Sequence, residues 1–157
     1  MASVTVGHDP TPACFDESHW SNIETMTQWG TKVWGGYLLA KTLAEKAAWD
    51  FQKSLKEEER FDLVTICPPF VYGPSLITGD YESGKDCIEY MHGKRLVKKG
   101  GIPMVSVLAV AQAHLNAIKI QETANNRFVV LNGTYTTKHI AEALSTEFAA
   151  DGWVIPT

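Results

Sequence analysis

The sequence predicts an α/β protein built on a parallel sheet, and three stretches carry that prediction. From Gly35 onward Leu, Ala, Glu and Lys dominate, and Leu39, Leu43, Ala47 and Phe51 recur at the spacing of one helix face. Phe61-Asp-Leu-Val-Thr-Ile-Cys67 is then a short, nearly continuous apolar run, as expected of a parallel strand buried on both faces. Further on, Leu108, Ala111, Leu115 and Ile118 mark a second helix face, and Arg127-Phe-Val-Val-Leu131 reads as another strand.

The remaining elements follow in order. Met1-Ala-Ser-Val-Thr-Val6 alternates small and branched residues before Gly7 and reads as the end of a strand. Residues 7–36 form a long loop with Pro10 and Pro12, in which Ser21-x-x-Glu24 fits a capping box for a short helical turn. Long loops in compact domains are often functional, so this one is expected to wall a substrate site, with Trp20, Trp29 and Trp34 as packing residues. Lys56-Glu-Glu-Glu-Arg60 is a solvated helix end. Pro68-Pro-Phe-Val-Tyr-Gly-Pro74 follows the apolar strand directly, where ligands of open α/β sheets sit. Gly79-Asp-Tyr-Glu-Ser-Gly-Lys-Asp86 has the outline of a phosphate loop, but Asp86 replaces the magnesium hydroxyl and Asp80 and Glu82 repel phosphate. It reads instead as a loop into a helix over 85–92. His114 is a core or boundary histidine, and Asn132-Gly-Thr134 a turn. Thr136 or Thr137 caps a last helix carrying Ile140, Leu144 and Phe148, and the tail from Trp153 packs.

Composition narrows the function classes. A chain of 157 residues, 45% hydrophobic and 20% charged, suits one soluble globular domain. The net charge of −4 with scattered basic residues argues against nucleic acid as a partner. Cys14, Cys67 and Cys87 are odd in number and far apart, so neither disulfides nor a zinc site is expected, and no other metal site is. No apolar run approaches the ~20 residues that span a bilayer, and no leader pattern opens the chain; a cytoplasmic protein without membrane contact is the expectation.

The chemistry is concentrated at the start of the long helix. Tyr37 and Lys41 lie one turn apart, so phenol and ammonium project from the same side. A cation beside a phenol favours the phenolate, which suits proton donation to a carbonyl oxygen as it becomes an alkoxide. Tyr81/Lys85 and Tyr90/Lys94 share the spacing, but the first looks loop-like and the second crosses Gly93, a helix stop.

Tyr37-Leu-Leu-Ala-Lys-Thr-Leu-Ala-Glu-Lys-Ala-Ala-Trp49, followed by Pro68-Pro-Phe-Val-Tyr-Gly-Pro74, resembles the extended short-chain dehydrogenases/reductases of the NAD-dependent epimerase/dehydratase superfamily. The closest branch in appearance is that of dihydroflavonol reductases, cinnamoyl-CoA reductases and fungal aldehyde or ketone reductases. Asp16-Glu-Ser-x-Trp20 and Ala111-Gln-Ala-His-Leu-Asn-Ala117 fit it, whereas Val105-Ser-Val-Leu-Ala-Val-Ala111 lacks the family's two acids and arginine. The likeness covers the second half of the family's protein. It implies an incomplete Rossmann-like fold, the second half of a doubly wound parallel sheet plus a small C-terminal substrate-side region. The whole is expected to be one domain, with 1–74 as the core half bearing the catalytic helix and 75–157 as mainly the substrate side.

Under the resemblance Tyr37 is the general acid, Lys41 holds ribose hydroxyls, and Ser3 orients the substrate carbonyl, a role open also to Thr5. The backbone near Pro68 and Val71 holds the nicotinamide carboxamide. The implied cofactor is NADP or NAD, with NADP favoured, and the substrate a small aldehyde, ketone or dihydroflavonol-like carbonyl. No Gly-x-Gly-x-x-Gly or Gly-x-x-Gly-x-x-Gly stands in the sequence, so the turn that lets backbone amides approach a pyrophosphate is missing. The expectation is therefore a fragment, inactive alone, completed by a missing N-terminal half or self-associating; the alternative is a non-catalytic interaction or scaffold protein derived from the fold.

Overall fold

The computed structural model of the chain describes residues 1–30, 34–76, 81–95 and 100–156. In chain order its elements are α1 (Ile23–Trp29), α2 (Gly35–Ser54), β1 (Thr65–Cys67), β2 (Phe70–Tyr72), α3 (Glu82–Met91), β3 (Gly101–Ser106), α4 (Val107–Lys119), β4 (Arg127–Val129), β5 (Gly133–Thr136) and α5 (Thr137–Phe148), with 3₁₀ turns at Glu57–Glu59, Gln121–Thr123 and Ala149–Asp151. Two units emerge, Met1–Cys67 with Gln112–Val130, and Pro68–Ala111 with Leu131–Thr157. The division expected after residue 74 keeps its halves in chain order, whereas these units interleave: 112–130 packs with the first.

In the first unit β1 and β4 pair in parallel, Thr65 opposite Arg127 and Cys67 opposite Val129. The parallel pairing is as expected. The strand is shorter than its apolar run, because Phe61 to Val64 have no ladder, and only Cys67 of β1 is fully buried. Met1 to Val6 is not a strand: Val4 and Thr5 turn their amides onto the Met1 carbonyl, and Asn22 N–H reaches Val6 O. Backbone groups satisfied within such turns are not free for a ladder. The cap of α1 is Asn22, whose Oδ1 accepts from Thr25 N at 3.0 Å. Ser21, expected there, is buried and serves Val6 and Ala2 instead. Met26 of α1 is fully buried, worth about 1.5–3 kcal/mol by transfer.

The helical periods are right, but the faces are turned. On α2 the inward stripe is Gly35, Leu38, Thr42, Glu45, Trp49 and Gln52, while Leu43 and Phe51 face out, Phe51 at 59% exposure. On α4 Ala113 and Ala117 lie inward and Leu108, Leu115 and Ile118 outward, Ile118 at 83%. Polar groups occupy the inside of α2 because each finds a partner there: Thr42 Oγ1 donates to Ala2 O, and Gln52 Nε2 to Phe61 O and Asn125 Oδ1.

The second unit holds a three-stranded sheet, β2 parallel to β3 and β3 antiparallel to β5. Its core gathers Tyr90, Ala141 and Ile155, with Met91, Ile140 and Leu144 against them. Ile140 and Leu144, expected inside α5, thus do face in, and of the tail Ile155 is buried while Trp153 and Val154 stay exposed, Val154 at 91%. Thr136 is the cap, its Oγ1 accepting from His139 N while His139 Nδ1 accepts from Thr136 N. Helix α3 begins at Glu82, earlier than expected, so Lys85 is helical, and Gly93 at φ 65° follows its end. Gly79 and Asp80 of the phosphate-loop outline lie outside the described residues, as do Lys98, Lys99 and Thr157.

Candidate active site

Helix α2 displays Tyr37 and Lys41 at its beginning. Gly35 permits this start: a Cβ there would lie 2.6 Å from Gly30 O, at the close of α1. Tyr37 is 53% exposed, its ring T-shaped against Trp34 at 6.1 Å. Lys41 Nζ stands 5.7 Å from the Tyr37 ring centroid, so the phenol and the ammonium share one solvent-facing patch. The other two pairs are arranged differently: Tyr90 is buried in the second unit's core, and Tyr81 precedes α3 with its hydroxyl on Gly73 O.

Ser3 is only 6% exposed, and its Oγ lies 3.9 Å from Cys67 Sγ. Its carbonyl accepts from Ser21 N at 2.8 Å. The neighbouring Ala2 carbonyl accepts from Ser21 Oγ at 2.7 Å and from Thr42 Oγ1 at 3.2 Å, which ties this segment to α2 one residue beyond Lys41. Thr5 Oγ1 donates to Met1 O.

Behind these residues lies a polar hub that sequence reasoning missed. Glu45 receives Arg127 Nε at 2.6 Å and Nη2 at 3.3 Å, and Thr65 Oγ1 at 2.9 Å. The two ionic side chains are 9% and 10% exposed. Arg127 Nη1 also donates to Glu17 O at 2.7 Å and His19 O at 2.9 Å, while its guanidinium covers the Trp20 ring at 3.6 Å. Burial alone would push the Glu45 carboxyl up. Hydrogen bonds from Arg127, Ser3 and Thr65, with the guanidinium charge, outweigh it and hold the carboxyl at about 2. Cys67 goes the other way, its thiol pushed up by burial and by the Glu45 charge. A signal was present: Glu45 stands one turn beyond Lys41, and Arg127 puts a cation at the head of a short apolar strand.

Pro68 and Val71 belong to the second unit. Val71 is half-buried at the centre of β2, opposite Val105. Gly73 follows at φ 144°, and a Cβ there would meet Val107 Cγ1 at 2.6 Å, so only glycine fits. Tyr72 donates to Asp86 Oδ2 at 3.2 Å; burial and the Asp86 charge push its phenol up. Among the described residues no group of three His, Cys, Asp or Glu could hold a metal ion, and no helix is long and apolar enough to cross a membrane.

A cavity of about 830 Å³ in the first unit is not at Tyr37. Trp20, Trp49, Lys53, Arg60, Asn125 and Arg127 are among its walls. On α2 it begins at Lys46, roughly 14 Å along the axis from Tyr37. Chemistry rather than concavity therefore marks the candidate site.

No family profile matches the chain. It is 32% identical to an anthocyanidin reductase of Vitis vinifera over 94% of its own length and 45% of the relative's. With ketoreductase azaE of Aspergillus niger the identity is 33%, over 91% of the chain and 44% of the relative. The crystal structure of Gre2 from Candida albicans in complex with NADPH superposes with a TM-score of 0.83 at 26% identity, covering 99% of this chain and 48% of that one. The chain's homologues all belong to the extended short-chain dehydrogenase/reductase branch. The chain spans about half the length of the curated short-chain dehydrogenase/reductase relatives it matches, and the Rossmann-type fold inferred from its motifs is that of its structural neighbours.

Proposed function

We propose that the chain carries the carbonyl side of the site of an NADPH-dependent reductase acting on small aldehydes, ketones or dihydroflavonol-like carbonyls. The observation that carries this reading is the exposed Tyr37 with Lys41 Nζ 5.7 Å from its ring, at the start of a helix in a chain whose homologues are of this branch. NADPH, when bound, supplies the hydride to the carbonyl carbon. The carbonyl π pair moves onto oxygen, and the Tyr37 hydroxyl delivers the proton that completes the alcohol. Lys41 provides an exposed cation and donor for ribose hydroxyls, and Ser3 or Thr5 orients the carbonyl. Pro68 and Val71, following the carboxyl end of β1 in sequence, are assigned to the nicotinamide carboxamide. Within the first unit, the exposed phenol of Tyr37 and ammonium of Lys41 suit the nicotinamide end of the cofactor. The 157 residues offer its pyrophosphate no glycine-rich turn, so in this reading that anchor comes from outside them.

The test is Tyr37→Phe in a form of the protein that couples NADPH oxidation to carbonyl reduction. Turnover should fall by ~10²- to 10⁴-fold with the fold intact; wild-type turnover would remove Tyr37 from the mechanism. A second reading, a non-catalytic interaction protein, is favoured by the burial of Ser3 and by the outward apolar faces of α2 and α4. Genomic sequence upstream of Met1 discriminates the two, because an in-frame glycine-rich strand-turn-helix belongs only to the enzyme.

A further inference from the structure

We propose that the buried Glu45–Arg127 pair is a positioning device, which holds Ser3 and the 17–21 loop in register with the helix bearing Tyr37 and Lys41. This rests on the reading of those residues as the carbonyl site. Buried ion pairs are poor sources of stability, because desolvation offsets most of the attraction and apolar replacements of similar volume are often as stable. A pair only 9% and 10% exposed, made through two guanidinium nitrogens, therefore suits orientation better than stabilisation.

The connections run to both sides of the site. Arg127 fixes the loop directly, through Nη1 on the carbonyls of Glu17 and His19 and through its stack on Trp20. The loop fixes the Ser3 segment in turn: Ser21 N donates to Ser3 O, Ser21 Oγ donates to Ala2 O, and Val6 N donates to Ser21 Oγ. Ser3 Oγ is also within reach of Cys67 Sγ, which itself lies 3.8 Å from a Glu45 oxygen. On the other side, Glu45 is one turn beyond Lys41 and two beyond Tyr37, roughly 6 and 12 Å along a rigid helix. Moving Arg127 thus moves the serine and the loop relative to the tyrosine. A misplacement of about 1 Å in such a site can cost 10²-fold in rate.

The decisive variant is the double Glu45→Met/Arg127→Met, which removes both charges at similar volume. Amide hydrogen exchange of the 157-residue chain is the readout. The expected result is a folded protein whose amides over 2–6 and 17–22 exchange at least tenfold faster, while those of α2 and β4 keep wild-type protection. Arg127→Lys, which keeps the charge but loses the fork, should show the same pattern, and Arg60→Lys none. A general rise following global unfolding, or wild-type exchange at 2–6 and 17–22 in a stable double variant, would overturn the proposal. Should the double variant fail to fold, Arg127→Lys is judged by the same criterion. Wild-type turnover by Tyr37→Phe, in a form that couples NADPH oxidation to carbonyl reduction, would count against the carbonyl site itself, and the exchange pattern would still decide the positioning role.

Discussion

Tyr37 and Lys41 are separated from two look-alike pairs by surroundings, and substitution can weigh that distinction. Lys41→Met is expected to lower carbonyl reduction and weaken NADPH binding together, because in the proposed site one ammonium serves both. Lys85→Met, whose ammonium lies 3.8 Å from Glu82 in α3, should do neither. Equal effects in a paired kinetic and binding assay would mean that the wrong pair was chosen. Glu45 makes a prediction in pH. Its folded-state value of about 2 lies below the ordinary glutamate value of about 4.3, so the group stabilises the fold above that ordinary value. That contribution, on the order of 3 kcal/mol relative to the protonated carboxyl and not to an apolar pair, is lost as pH falls from roughly 4.5 to 2. Urea unfolding of Glu45→Gln should show a flatter acid limb than wild type. Asp16, also held at about 2 by Ser18 and His19, sits in solvent, so Asp16→Asn should leave the limb nearly unchanged.

Among the elements, α5 starts where the sequence allowed, with Ile140 and Leu144 facing in, and it is a clean place to measure a cap. Thr136 Oγ1 satisfies His139 N at 3.1 Å, a donor that would otherwise have no intrahelical acceptor. Thr136→Ala should cost about 1 kcal/mol, seen as a melting temperature lower by about 2–4 °C. Thr146→Ala, on the exposed face of the same helix, should shift it by much less; equal shifts would show that the cap contributes nothing. Helices α2 and α4 teach the opposite lesson. Their period was legible in Leu43, Phe51, Leu115 and Ile118, yet those residues face outward. Hydrophobic spacing gives a helix its face but not its direction, and a polar stripe with partners such as Arg127, Ala2 O and Asn125 can take the inside.

Across the whole molecule, outward apolar faces and a missing phosphate turn lead to one joint expectation. Adenosine and pyrophosphate supply much of a dinucleotide's binding energy, and the contacts left to Tyr37, Lys41 and the 68–73 segment must offset an association cost of roughly 4–15 kcal/mol. The 157-residue chain should therefore bind NADPH no more tightly than about millimolar. It should also self-associate with rising concentration through Leu43, Phe51, Leu115 and Ile118. Titration calorimetry with light scattering checks both, and micromolar binding by a monomer would show that the anchor lies within the chain after all.

By itself the sequence determined the class of the fold, the parallel strand ending at Cys67, the helix that opens with Tyr37 and Lys41, the start of α5 to within one residue with Ile140 and Leu144 on its inner face, and a likeness to a family of reductases. These are local: spacing, capping chemistry and short motifs are written in consecutive residues. Tertiary structure alone decided that Met1 to Val6 is a set of turns, that Asn22 rather than Ser21 caps α1, and that 112–130 packs with the first unit. It also decided that Glu45 and Arg127 meet. Eighty-two positions separate these two residues, and no periodicity links them. What joins them is the parallel pairing of β1 with β4, which brings a strand's first residue beneath α2, where a buried charge must find its opposite.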